Sequence, residues 1–387
     1  MTKKLVTTLL IAGITLSLSG CWDIKSLQDV NYFTGIGIDY KDNKYHIYIQ
    51  QLDFSSVAKT DAGKSEKPAM VWIGHAEGIS ISEAVFDLYK TAQQTVFWGH
   101  LNAIIFSENM LKKGDLLGVF DSLLRNPEIR YTSWVYGTKK EINEIFITKP
   151  FFNLSPLNSI LYSPNTNYKQ RPIISPMRFS QFIKEVREPG NTALLPTLGI
   201  SDHIWVSTKK PDPKLEMDGI FALHNDKYKD WISSSDLLGI KWLERKTDST
   251  RIVLKQNDKI TAALKLTKPK SKIRIHKSNG APVFDIEIKV AGALLEVWTD
   301  VEEKKLESLA SELIEKEIRS AYQVGMTKHI DLFRLEHSLY RKEFPLWKKL
   351  TDNGSAELRP IALGKVKVTV KLTESGVYKL KRKLTPY

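Results

Sequence analysis

The sequence predicts an α+β protein, with mixed helices and sheets arranged in three compact domains. Two patterns carry that reading. The first half alternates strand-period with helix-period segments, and the second half is rich in strands with one long amphipathic helix. At 387 residues the chain is too long for one small core, and 42% hydrophobic with 10% aromatic residues is the make-up of a folded protein. The expected division is residues 1–20 as a leader, 21–205 as an N-terminal α/β region, 206–270 as a middle domain with a linker, and 271–387 as a C-terminal sheet-plus-helix domain.

The leader is legible from its chemistry. Lys3 and Lys4 precede an apolar run from Leu5 to Leu18. At about 14 residues it falls short of the roughly 20 that a membrane-spanning helix needs, and it suits a signal peptide. The run closes on Leu18-Ser19-Gly20-Cys21, a bacterial lipobox: one aliphatic residue, two small ones, then cysteine. Small residues let a signal peptidase cut between Gly20 and Cys21, once the Cys21 sulfur carries a diacylglyceryl thioether. Two or more acyl chains of palmitate type hold a protein stably, because each buried CH₂ contributes about 0.8 kcal/mol. Cys21 is the one cysteine of the chain, so an intramolecular disulfide, a Cys-x-x-Cys redox pair and a cysteine-held cluster are all excluded. Lipidation of Cys21 on the outer face of a bacterial membrane is the expectation.

After Cys21, "FTGIGIDYKDNKYHIYIQQLDF" alternates on both sides of Lys41-Asp42-Asn43-Lys44, which predicts a hairpin. A polar loop over 60–69 leads to the strand "MVWIGHA". Ser80 and Glu83 form a capping-box pattern ahead of a helix whose Val85, Leu88, Tyr89 and Ala92 share a face. A strand over 102–106, a helix over 108–125, a strand over 131–137 and a helix over 139–147 follow. Residues 149–176 carry five prolines and predict an ordered crossover without regular structure. A short helix in "MRFSQFIKEVRE" stops at Pro189-Gly190, and the polar stretch 207–219 is the linker candidate.

In the second half, "IRIHKSNGAPVFDIEIKVAG" predicts a hairpin turning at Asn279-Gly280. Its second strand sets Phe284, Ile286, Ile288 and Val290 against Asp285, Glu287 and Lys289. The long helix begins near a capping box of Asp300 and Glu303, with Leu306, Leu309, Leu313, Ile314, Ile318 and Ala321 as its apolar stripe against the sheet. The last strand alternates Val366, Val368, Val370 and Leu372 with Lys365, Lys367, Thr369 and Lys371, placing cross-strand ion pairs to Asp285 and Glu287 within reach.

The formal charge of +13 either draws the chain to anionic surfaces or serves simple solubility, and charge alone does not decide between them. Positive signals for catalysis are missing. Gly35-x-Gly37 places Tyr40 where a dinucleotide loop needs its third glycine, and it reads as a strand feature. His75-Ala-Glu77 matches half of a zinc-deaminase motif whose cysteines do not exist here. His329 and His337, eight apart, read as surface or packing residues rather than metal ligands. No catalytic residue, metal site, cofactor or nucleic-acid partner is expected.

The segments, taken in order, resemble the Ger(x)C family, the C-subunit lipoproteins of spore germinant receptors. The likeness begins with Cys21-Trp22-Asp23 and Gly37-Ile38-Asp39 in "GCWDIKSLQDVNYFTGIGIDY". It continues in "WGHLNAIIFSENMLKKG", in "LLRNPEIRYTSWVYGTKKEINEIF", in "DGIFALHNDKYKDWISSSDLLGIKWL" and in "HIDLFRLEHSLYRKEFPLWKKL". The resemblance implies a non-enzymatic subunit, lipid-anchored on the outer face of a spore's inner membrane. It implies assembly with integral-membrane A and B subunits and a part in the response to small nutrients. Trp22 and Asp23 would serve either as a membrane-proximal spacer or as a docking point. Two other readings stand beside it: a solute-binding lipoprotein of a transporter, which should show two similar α/β lobes, and a lipid-anchored wall enzyme.

Overall fold

The structure, a computed structural model, describes residues 30–52, 70–299, 301–359 and 361–374. The leader, the lipobox and the Asp300 half of the expected capping box lie outside the described residues.

The first part contains β1 (Val30–Lys41), β2 (Lys44–Leu52), β3 (Val71–Gly78), α1 (Ile81–Leu88), β4 (Thr95–Phe97), β5 (Ala103–Ser107), α2 (Glu108–Lys113), α3 (Leu116–Leu124) and β6 (Trp134–Thr138). Next come α4 (Ile142–Ile147), α5 (Pro164–Gln170), β7 (Met177–Arg178), α6 (Phe179–Arg187), β8 (Thr192–Ser201), β9 (Val206–Ser207), β10 (Lys210–Pro211), β11 (Lys214–His224) and β12 (Lys227–Ser233). The remainder is β13 (Ser249–Gln256), β14 (Lys259–Ser278), β15 (Ala281–Val297), α7 (Glu303–Thr327), α8 (Leu335–Lys342), α9 (Phe344–Leu350) and β16 (Ala362–Glu374).

A 10-stranded sheet runs β12-β11-β8-β6-β5-β1-β2-β3, with β4 added to β1 and β7 to β6. Its centre, β1, β5, β6 and β8, is parallel, and antiparallel hairpins finish both edges. The sheet does not break at 205/206, because β11 and β12 continue it. The linker candidate 207–219 instead holds β10 and the start of β11. Pro211 sits in a short hairpin with β9, away from the main sheet, where a missing N–H costs nothing.

Recurrent turn chemistry explains the hairpins. Asp42-Asn43, Asn225-Asp226, Asn257-Asp258 and Asn279-Gly280 each place two residues at positive φ between antiparallel strands. That pair twists in the same sense as the strands it joins, and Asn, Asp and Gly tolerate it best. In α1, Ser80 Oγ accepts from Glu83 N (3.1 Å) while Glu83 Oε2 accepts from Ile79 N (2.8 Å), a variant of the predicted capping box. The single helix expected over 108–125 is two. Asp115 caps α3 by accepting from Gly118 N (2.9 Å), so the chain restarts its helix there. The proline-rich crossover likewise contains α5, which starts on Pro164 at a first-turn position that needs no N–H donor.

Helices α1, α2, α3 and α6 bury Ala84, Met110, Phe120 and Phe182 against one face of the large sheet. On the other face α4 lies directly on β1. A Cβ on Gly37 would overlap Ile142, and one on Gly35 would stand 2.9 Å from Phe146 and from the Tyr162 hydroxyl. Those two glycines are therefore a close-approach feature of a strand. Beneath them Gln50 donates to Phe146 O (2.8 Å), and the Tyr162 hydroxyl donates to Thr34 Oγ1 (3.1 Å), a satisfied polar knot in the core.

The second sheet has the order β13-β14-β15-β16 and is mixed, with β16 parallel to β15. Strand β14 runs straight across the expected 270/271 boundary. Helix α7 has 25 residues, about 38 Å at 1.5 Å per residue. It buries Leu306, Ala310, Ile314, Ile318, Ala321 and Gly325, with Leu309 and Leu313 at the margin of the stripe. Its N-cap is Glu302, which makes no side-chain cap bond. The ion pairs expected between β15 and the last strand form elsewhere. Glu287 pairs with Arg274 (3.0 Å) and Lys289 (3.3 Å), while Asp285 accepts from the backbone N of Lys365 (2.6 Å). For Asp285 the cause is a register shift between Phe284 and Ile286, which frees that N–H from the ladder, while Glu287 stays in register with Lys367. Among the described residues no helix is long and apolar enough to cross a membrane.

Candidate functional site: the joint between the two sheets

The residues that matter most for architecture converge where the large sheet meets α7 and α8. After β12 the chain reaches Gly239, where any Cβ would strike the α7 backbone at Glu317, so helix and turn touch directly. Trp242, fully buried, donates Nε1–H to Glu317 Oε2 (2.7 Å), and buried Lys241 places Nζ 3.1 Å from the same oxygen. One carboxylate thus serves two donors from the other element. A buried charge in this position is tolerated because it is both paired and hydrogen-bonded.

Past the end of α7, Asp331 caps α8 by accepting from Glu336 N (2.8 Å). Glu336 then bridges two more segments, Oε1 accepting from Trp347 Nε1 (3.1 Å) and Oε2 from Leu358 N (3.2 Å). Arg334, at φ 55°, reaches back to Glu185 on α6 (2.9 Å) and to Thr192 O (3.2 Å) at the start of β8. His224, at the end of β11, brings Nε2 to 3.8 Å from Glu336 Oε2, too far for a hydrogen bond, and that nitrogen has no partner.

Of these groups, Thr192, His224, Asp331, Glu336 and Leu358 line a cleft of about 400 Å³, together with Lys229, Glu357 and Arg359. Glu357 is held between Lys229 and Arg359 (2.9 Å). Burial alone would raise the Glu357 pKa, but hydrogen bonds from those two cations bring it below the ordinary carboxylate value. Deeper in, burial dominates. It raises the pKa of Asp331 and of Glu336, and it lowers that of His224. The arrangement joins the two sheets through buried polar contacts. It offers no nucleophile with an adjacent base. Among the described residues no group of three or more His, Cys, Asp or Glu side chains could hold a metal ion.

The residues singled out from sequence are placed as follows. Gly20, Cys21, Trp22 and Asp23 lie outside the described residues. Asp39 is buried, accepts from Tyr40 N (2.8 Å) and from the hydroxyl of Ser107, the residue that caps α2 through Met110 N (2.9 Å). The "WGH" and "NPE" segments meet, because Trp98 N donates to Glu128 Oε2 (2.8 Å). His75 stacks on Tyr48 at 4.5 Å and Glu77 pairs with Lys44, both on the β2–β3 edge. His329 bonds to Arg359 after the end of α7, while His337 sits in α8 beside Pro189 O, so the two share no helical face. Sequence reasoning missed His224, Glu317 and Glu336. The Asn225-Asp226 turn just after His224 was the available signal, since it marks a strand end facing the joint.

The fold and the joint define a class, and comparison with known proteins places the chain within it. Two family models match in succession: "Spore germination protein N-terminal domain" over residues 23–200, and "Spore germination B3/GerAC like, C-terminal" over 218–376. The chain belongs to this spore germination family, the Ger(x)C proteins. Among its relatives, spore germination protein KC of Bacillus subtilis is 24% identical over 97% of both chains. Spore germination protein B3 of the same organism is 25% identical over 84% of this chain and 87% of its own. The crystal structure of the GerBC protein has the same fold, with a TM-score of 0.56 and 15% identity over 90% of this chain and 99% of that one.

Proposed function

We propose that the chain is the lipid-anchored C subunit of a spore nutrient germinant receptor. In this reading Cys21 carries the lipid, and the protein lies on the outer face of the spore's inner membrane, beside integral-membrane A and B subunits. Its part is in the response to small nutrients, and it works by binding rather than by catalysis. The observation that carries the reading is the pair of family models that together span the chain from residue 23 to 376. The lipobox at Leu18-Ser19-Gly20-Cys21 supports the anchor. A joint built from buried polar contacts between elements far apart in sequence suits a binding subunit.

Two experiments test it. Cys21→Ala protein should leave the membrane fraction and escape normal processing; retention through an alkaline wash would refute the anchor. Spores that lack the protein should respond poorly to one class of nutrient.

A further inference from the structure

Strands β8 and β11 pair along their whole length, Thr192 opposite His224 at the joint and Ser201 opposite Lys214 at the other end. A second cavity, of about 170 Å³, opens at that other end. Its lining includes Arg171, Ser201, Trp205, Lys214 and Glu216. Three observations mark it as more than a packing gap. Ser201 is only 4% exposed, and its hydroxyl has no hydrogen-bond partner. Arg171, exposed at the surface, and Glu216, half-buried, both line this cavity, and neither side chain has an ion-pair partner among the described residues. Lys214, also buried, has its charge already committed to Asp212 (2.5 Å) and its ammonium over the Phe151 ring at 4.8 Å.

A buried hydroxyl without a partner costs free energy unless something bonds to it. A guanidinium and a carboxylate that share a cavity without partners present both charge signs. A simple anion would meet Glu216, and a simple cation would meet Arg171 and Lys214. A molecule that carries both charges satisfies both groups, and the planar fork of arginine matches a carboxylate. Trp205, half exposed and packed edge-on against Phe151 at 4.9 Å, supplies an apolar wall. At about 170 Å³ the cavity is of a size that suits a small ligand.

We propose that this cavity binds a small zwitterion, with the carboxylate on Arg171 and Ser201, the ammonium on Glu216 and the apolar part against Trp205. The binding stands on the cavity; its purpose, sensing a small nutrient, rests on the receptor reading above.

The test is calorimetric titration of the full chain in detergent with glycine, L-alanine and L-leucine, and with acetate and methylammonium as single-charge controls. The proposal predicts saturable binding of at least one zwitterion at about 1 mM or tighter, and at least tenfold weaker binding of both controls. Arg171→Gln and Glu216→Gln, which remove charge at side chains without ion pairs, should each weaken the zwitterion at least tenfold while keeping the parent's unfolding midpoint. Absence of saturable binding by every zwitterion, acetate binding as tightly as L-alanine, or full affinity in both variants would overturn it. Normal germination of spores lacking the protein would remove the receptor reading and leave the binding result intact.

Discussion

At the scale of single residues, the glycines of the Gly35-x-Gly37 pair show how a motif can be seen and still not be placed. The sequence reveals that they do not form a nucleotide loop, since Tyr40 fills the third position. Why they are glycine depends on α4, a helix more than a hundred residues along the chain that lands on β1. Gly37→Val should therefore cost about 1–3 kcal/mol through overpacking against Ile142, which urea unfolding would measure. His224 was equally hidden, because its meaning comes from Glu336, brought beside it only by the fold. Burial holds the His224 pKa below the usual 6.5. The unfolded chain then takes the proton more readily, and stability falls as pH drops through about 6.5. Asp331 and Glu336 act in the opposite sense. With raised pKa values their contribution is present at acid pH and is lost as pH rises through those values. His224→Gln should accordingly lose less in melting temperature than the parent between about pH 7 and pH 5.5.

At the scale of elements, local chemistry was readable wherever it was self-contained. The Asp42-Asn43 and Asn279-Gly280 hairpins follow from turn residues that accept positive φ, and the α7 stripe follows from its period. The same chemistry at Asn225-Asp226 and Asn257-Asp258 carried equal information. The break between α2 and α3 was also written, in the capping residue Asp115. What no local pattern holds is a register shift, and one such shift sent Asp285 to a backbone N–H instead of a lysine of β16. The contact of α7 with Trp242 and Lys241 is likewise tertiary. Glu317→Ala would leave a buried ammonium and an indole N–H without their acceptor, and should cost about 3 kcal/mol or more in chemical denaturation. The double variant Lys241→Met/Glu317→Gln keeps an acceptor for the indole and removes both charges, so it should be the more stable of the two.

At the scale of the whole molecule, the α+β class and the strand-rich second half follow from periodicity, while the reach of the first sheet does not. Strands β11 and β12 return to the large sheet after the proline-bearing segment that precedes them, and composition alone marks that segment as a link. The family resemblance was legible because its segments are spread along the entire chain, and the structure explains the spread. Trp98 with Glu128 joins two of those segments, Glu336 with Trp347 lies within the last, and Trp242 leaves its own segment to meet Glu317 of α7. The central claim concerns the role of this assembly in a spore. Its most direct test is a germination panel on spores lacking the protein, in a strain without redundant receptors. The account predicts a poor response to one class of nutrient and a normal response to calcium dipicolinate; a normal response to every nutrient would contradict it.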